Sequence, residues 1–209
     1  MTVSLSILVF LPLAAGLAGA LLPRRVGRAL VLVATVAVLG LAIWMLADYP
    51  SSGGGLRYAT DAKWIPELGI RYSLGVDGLN LFLIVLTALL WVAATFAATL
   101  REWDRSRLFY FHLALGETAV LGAFCAQDLV LFVFFFDLML IPFYFLIGAW
   151  GGRRRVAATT KLVIYTLVGS LLMLAGAVAL GVLSTPAGGH ISFALADLAH
   201  RTVGTGTQE

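Results

Sequence analysis

The chain has 209 residues, of which 61% are hydrophobic and 12% charged, with a mean hydropathy of +0.98. Soluble domains carry about 25% charged residues, so this is the composition of an integral membrane protein, and the net charge of +3 does not point to nucleic acid. The single Cys125 excludes an internal disulfide and any Cys-based zinc or iron–sulfur site.

Six apolar stretches are predicted as membrane helices: 3–22, 29–47, 79–100, 108–126, 129–150 and 162–183. A helix needs about 20 residues to cross a bilayer, and in lipid the backbone must satisfy its own hydrogen bonds. The first stretch ends in small residues, but no positive charge precedes it, so it reads as a retained helix rather than a cleaved signal. The fold class expected is an all-α integral membrane protein with six transmembrane helices over 1–183, followed by a polar outer segment, 184–209. Loop 23–28, loop 101–107 and segment 151–161 together hold ten basic residues, against four in the alternate connections. The ten mark the cytoplasmic side, which places the N-terminus outside.

The outer connection, 48–78, contains the flexible run 51–55 (SSGGG). Residues 56–58 and 70–74 carry strand formers, consistent with either a short hairpin or a plain loop. Asp77 stands where an acid caps a helix N-terminus, and Asp128 stands at the equivalent place before the fifth stretch. Residues 191–200 are read as a short surface helix.

Chemistry centres on LVLFVFFFDLMLIPFYFLIGAWGG, residues 129–152. Asp137 is its only ionisable group before the glycines and lies near the middle of the span. An intramembrane carboxylate costs about 2.5–3.5 kcal/mol on insertion scales. Pro142, five residues on, lacks the N–H that would bond the Leu138 carbonyl. Acid and unpaired carbonyl together make a place for water and protons. Glu117 lies in the fourth stretch. Counted from the intervening turn, it and Asp137 fall at one depth, where two carboxyl groups could share a proton if they face each other. Alternatively, each bonds a neighbouring helix and is structural. Lys161 is a proton relay or a snorkelling interfacial lysine. His112 loads protons or is a satisfied interfacial histidine. No phosphate loop, paired haem histidines or Cys cluster is present, so neither nucleotide nor redox centre is expected in this chain.

GVDGLNLFLIVLTALL (75–90), QDLVLFVFFFDLMLIPFYFLIGAWGG (127–152) and KLVIYTLVGSLLML (161–174) resemble the third, fifth and sixth helices of the antiporter-like subunits of respiratory complex I. LMLIPFYFLIGAWGG is similar to chain M rather than its sisters L and N. The resemblance covers residues from about 64 to 183; the first two stretches match only in type. It implies the N-terminal part of a larger antiporter-like fold of about fourteen helices containing two inverted repeats. It further implies proton translocation coupled to electron transfer from NADH to quinone, in a bacterial cytoplasmic membrane. The NADH, FMN, iron–sulfur clusters and quinone would be bound by partner subunits. Chains L and N, small membrane chains and the lipid bilayer would be the partners, with no nucleic acid. Asp137 matches the family's fifth-helix acid, although the family pattern has Glu there. The buried Lys that pairs with that acid lies on a later helix, outside this sequence; Lys161 matches a more peripheral position. A multi-subunit cation/proton antiporter shares the helix pattern, and a non-conducting scaffold is the reading if the chain naturally stops here.

Overall fold

The computed structural model describes residues 4–49, 55–183 and 192–200. Its helices are α1 (Leu5–Leu21), α2 (Arg24–Asp48), α3 (Gly78–Thr99), α4 (Ser106–Cys125), α5 (Leu129–Trp150), α6 (Arg155–Leu183) and the short α7 (Leu195–His200). Strands β1 (Arg57–Ile65) and β2 (Ile70–Val76) pair antiparallel between α2 and α3. Helices α2 to α6 are each long and apolar enough to cross a membrane; α1, with 17 residues, is shorter.

The fifth stretch is helical over the expected residues. Of the other starts, two differ by five residues or more. Helix α2 begins at Arg24 and α6 at Arg155, so arginines assigned to loops form first turns instead. Arginine is a good helix former, and nothing in these turns stops the backbone.

Helices α1 to α4 pack around one apolar core that includes Leu8, Val38, Met45, Leu81, Ile84 and Leu121, all buried. Helix α5 joins through Leu131 and Phe135, and α6 packs chiefly on α5, leaving its other face open. Small residues allow close approach. A Cβ on Gly16 would lie 2.8 Å from Ala114 Cβ, which seats α1 on α4. Where α1 turns into α2, a Cβ on Gly27 would strike the Gly19 carbonyl oxygen, whereas one on Gly40 would meet nothing within 4 Å. Gly27→Ala should therefore lower stability by about 1–3 kcal/mol, the usual cost of overpacking. Gly40→Ala should be neutral or stabilising, since Ala is the better helix former. Thermal unfolding in detergent compares the two; equal melting temperatures would show that the Gly19–Gly27 approach is unimportant.

The connection between α2 and α3 is a hairpin, and a longer one than the sequence suggests. β1 runs from Arg57 to Ile65, and a 3-10 turn over Pro66–Leu68 ends at Gly69, whose φ of 70° suits glycine. Charged Arg57, Asp61 and Lys63 hide the strand in a hydropathy reading, because both of its faces are largely exposed. Arg71 holds Asp61 in an ion pair at 2.5 Å. The guanidinium bond lowers the Asp61 carboxyl below the usual range. Burial, then a bond donated to Asp48 at 2.5 Å, pushes the Tyr58 hydroxyl up to about 12.

The hairpin is tied to the bundle at one end. The Tyr72 and Ser6 hydroxyls bond at 3.0 Å, and the Gln127 N–H donates to Ser73 O at 2.8 Å. The Leu195 N–H donates to Gln127 O at 2.9 Å, so α7 sits on the same end. This places a short helix within 191–200, as expected; 191 itself lies outside the described residues.

Candidate functional site

The two caps form as the sequence predicts. Asp77 accepts from the Leu79 and Asn80 N–H groups, and Asn80 completes a capping box. The Asn80 amide also donates to Gly75 O and Phe124 O, each at 3.1 Å, joining the start of α3 to the end of α4. Asp128 accepts from the Val130 and Leu131 N–H groups at 3.0 and 3.1 Å, and from the Arg71 N–H at 3.2 Å. It is fully buried. Asp128 is therefore a structural acid that fixes where α5 begins.

Glu117 sits on α4 with no solvent exposure, and neither of its carboxyl oxygens has a hydrogen-bond partner among the described residues. Its chain neighbours show how it is placed. Gly116 lies under Pro142 of α5 and Trp91 of α3, while the Thr118 hydroxyl accepts from the Leu13 N–H of α1 at 3.1 Å. Glu117 thus occupies the flank of α4 between the faces that meet α5 and α1. A carboxylate there is costly unless a proton or a partner accompanies it.

Asp137 is half-buried on α5, and its Oδ1 is enclosed without a partner among the described residues. The two acids are not at one depth. Gly122 packs under the Phe135 ring, Gly116 under Pro142, and His112 against Phe145. That register sets Glu117 level with about residue 140 and Asp137 with about residue 120, an offset of roughly one helical turn, ~5 Å. Side chains on antiparallel helices lean toward their own N-termini, which separates the carboxyl groups further. Counting from the turn fails because the α4–α5 connection is extended rather than tight. Ala126 bridges to Leu74 of β2, and Gln127 and Leu129 bond to Ser73 and Phe193. A proton passing between the acids needs an intervening group or water.

His112 is buried, with Nδ1 2.7 Å from Leu108 O. That bond requires the proton on Nδ1. Its ring packs on Phe145 and Trp150 of α5, a position that fits the satisfied histidine. Lys161 is exposed and lies within α6, six residues past its start, about 9 Å along the axis. It is not brought near Asp137 or Glu117 by any ion pair among the described residues. Two buried hydroxyls were not singled out in the sequence. Thr95 Oγ1 and Tyr110 Oη both lack a partner among the described residues. Tyr110 precedes Glu117 by seven residues, hence on the same flank of α4; that spacing was the available signal. No group of three or more His, Cys, Asp or Glu suited to a metal occurs among the described residues.

The family model described as NADH:quinone oxidoreductase/Mrp antiporter, TM matches residues 126–203. The chain is 37% identical over 183 residues to NADH-quinone oxidoreductase subunit M of Rhodobacter capsulatus, covering 84% of this chain and 35% of that relative. A chain of respiratory complex I from Thermus thermophilus superposes with a TM-score of 0.80 at 32% identity, over 94% of this chain and 39% of the other. The chain is thus similar to that antiporter-like family over residues 126–203 and to subunit M along most of its length. It spans about a third of the length of the curated relative. The Mrp complex from a Dietzia species shares the fold alone, at a TM-score of 0.74 and 22% identity over 94% of this chain and 21% of that one. The antiporter-like family match and the apolar helices agree on a multi-pass membrane protein.

Proposed function

We propose that this chain is the N-terminal part of a proton-translocating membrane subunit of NADH:quinone oxidoreductase. Asp137 and Glu117 carry protons within it. The observation that carries this reading is Glu117, a carboxyl group wholly inside the bundle with both oxygens unpartnered among the described residues. A structural acid finds partners, as Asp128 does three times over; an acid left open is suited to gain and lose a proton. The Thr118 hydroxyl next to it in the chain is polar, and Pro142, packed on neighbouring Gly116, leaves the Leu138 carbonyl without its N–H partner. Asp137 on the more open flank receives the proton, and a basic group in the remainder of the protein answers it. His112 and Lys161 remain candidates for uptake from the basic side. NADH oxidation and quinone reduction belong to partner subunits, as do FMN and the iron–sulfur clusters. The partners include the sister chains L and N and small membrane chains.

In the complete subunit, assembled in its complex, Glu117→Gln should slow NADH-driven proton uptake by about tenfold or more, since Gln cannot carry the proton. Unchanged pumping by the assembled variant would make Glu117 structural. The second reading, a subunit of a cation/proton antiporter, is favoured by the shared Mrp fold. It predicts sodium-dependent proton exchange without NADH.

In this reading six helices, α1 included, cross a bacterial cytoplasmic membrane as one domain over 1–183. The basic connections lie inside, and the N-terminus, hairpin and polar segment 184–209 lie outside. Cys125 is buried, so labelling has little background. A cysteine replacing exposed Lys63 should react with an impermeant thiol reagent added outside, and one replacing exposed Arg154 should not. The reverse pattern would invert the topology.

A further inference from the structure

The end of the bundle opposite the hairpin holds a cleft of about 220 Å³ between the start of α2 and the α3–α4 connection. Arg24, Arg25 and Arg28 line it from α2, Arg101 from the connection, and Ser106 and Tyr110 from α4. Four arginines face one acid, Glu102, and none of them joins an ion pair among the described residues. Both helices also begin there without a side-chain cap or an acid in the first turn, so two positive helix ends add to the arginines. Repulsion of this kind calls for an anion.

Tyr110 shows where that anion sits. It is 4% exposed, it lines the cleft, and its hydroxyl is buried with no hydrogen-bond partner among the described residues. A buried hydroxyl left unsatisfied costs about 1–3 kcal/mol. The surroundings then select the kind of anion. The cleft lies at the ends of apolar spans, at the level of headgroups, with Trp103 beside it as in an interfacial aromatic belt. Val26 and Leu100, next in sequence to its arginines, are exposed and offer apolar surface to acyl chains.

We propose that this cleft binds the phosphodiester headgroup of an anionic phospholipid. Arg24, Arg28 and Arg101 hold the phosphate oxygens, and the Tyr110 hydroxyl donates a hydrogen bond to one of them. Basic pockets between membrane helices recognise such headgroups. The site is independent of the proton path and of which redox or antiport complex contains the chain.

The test uses the complete subunit in its complex, placed in nanodiscs of phosphatidylcholine with or without phosphatidylglycerol, and counts retained lipid by native mass spectrometry. At about fivefold per arginine, the triple change Arg24→Gln, Arg28→Gln and Arg101→Gln should weaken phosphatidylglycerol retention about a hundredfold. Lys63→Gln, on the hairpin, should leave it unchanged. Tyr110→Phe keeps the ring packing and should weaken retention severalfold even if the triple variant does not assemble. Equal retention by wild type and Tyr110→Phe would overturn the proposal, as would equal retention by an assembled triple variant. Binding of inorganic phosphate with no phosphatidylglycerol retained would reassign the cleft to a free anion and overturn the lipid.

Discussion

Asp137→Asn in the complete subunit should lower NADH-driven proton uptake by about a hundredfold or more, the scale of losing a positioned proton-transfer group, while the complex still assembles. Asn preserves the size and hydrogen-bonding capacity of the side chain but cannot carry the proton. The expectation rests on placement. Asp137 lies in the middle of α5, with one oxygen enclosed and unpartnered and the residue only half-buried. In lipid such an acid would cost about 2.5–3.5 kcal/mol, so its open side must meet protein or water. Asp137→Glu introduces the residue that the resemblance implies at this position. It extends the carboxyl group by about one bond, ~1.5 Å, and should keep pumping at an altered rate. Pro142→Ala restores an N–H to bond the Leu138 carbonyl and should slow transfer less than loss of the acid does. If Asp137 merely braced a neighbouring helix, Asn would serve as well. Normal pumping by the assembled Asn variant, measured with a pH-sensitive dye in inverted vesicles, would exclude Asp137 as the carrier.

The largest stability loss is expected at Asp128. Asp128→Ala strips acceptors from three N–H groups, those of Arg71, Val130 and Leu131. Hydrogen bonds to a charged acceptor are worth about 1.5–3 kcal/mol each, and exposing the cap to water recovers part of that. A net loss of ~3 kcal/mol is expected. Asp128→Asn keeps an acceptor oxygen and should lose about 1 kcal/mol, the difference between charged and neutral acceptors. Because one of the three bonds comes from β2, Asp128→Ala should also speed hydrogen exchange in 70–76 beyond its effect on the rest of the bundle. Uniform exchange throughout would show that the hairpin does not depend on this acid.

Local signals in the sequence were dependable where the physics is local. The span 129–150 and the caps at Asp77 and Asp128 depend on hydropathy and on bonds reaching two or three residues, and the structure has all three. The starts of α2 and α6 were misplaced because arginine marks a cytoplasmic segment without ending a helix. The length of β1 was hidden because its neighbour is only β2, so neither face needed to be apolar. The relative depth of Glu117 and Asp137 was out of reach. It depends on bonds from residues 126–129 to Ser73, Leu74 and Phe193, all distant in the chain.

Those bonds also determine how α5 can yield under load. Its hairpin end is clamped: Asp128 is tied to β2, Gln127 to Ser73 and Leu195, and Leu129 to Phe193. A rod held that way cannot tilt or slide as a whole without breaking the clamp. It can flex where its own ladder is weakest, and Pro142 removes one rung 13 residues beyond Leu129. Helix α5 is held at its other end as well, where the Trp150 Nε1–H donates to Asp104 O at 2.6 Å, so its compliant section lies between two anchored halves. Bending there would change the angle between the half that carries Asp137 and the half that carries Phe145 and Trp150, so a shift at either anchor is taken up at Pro142.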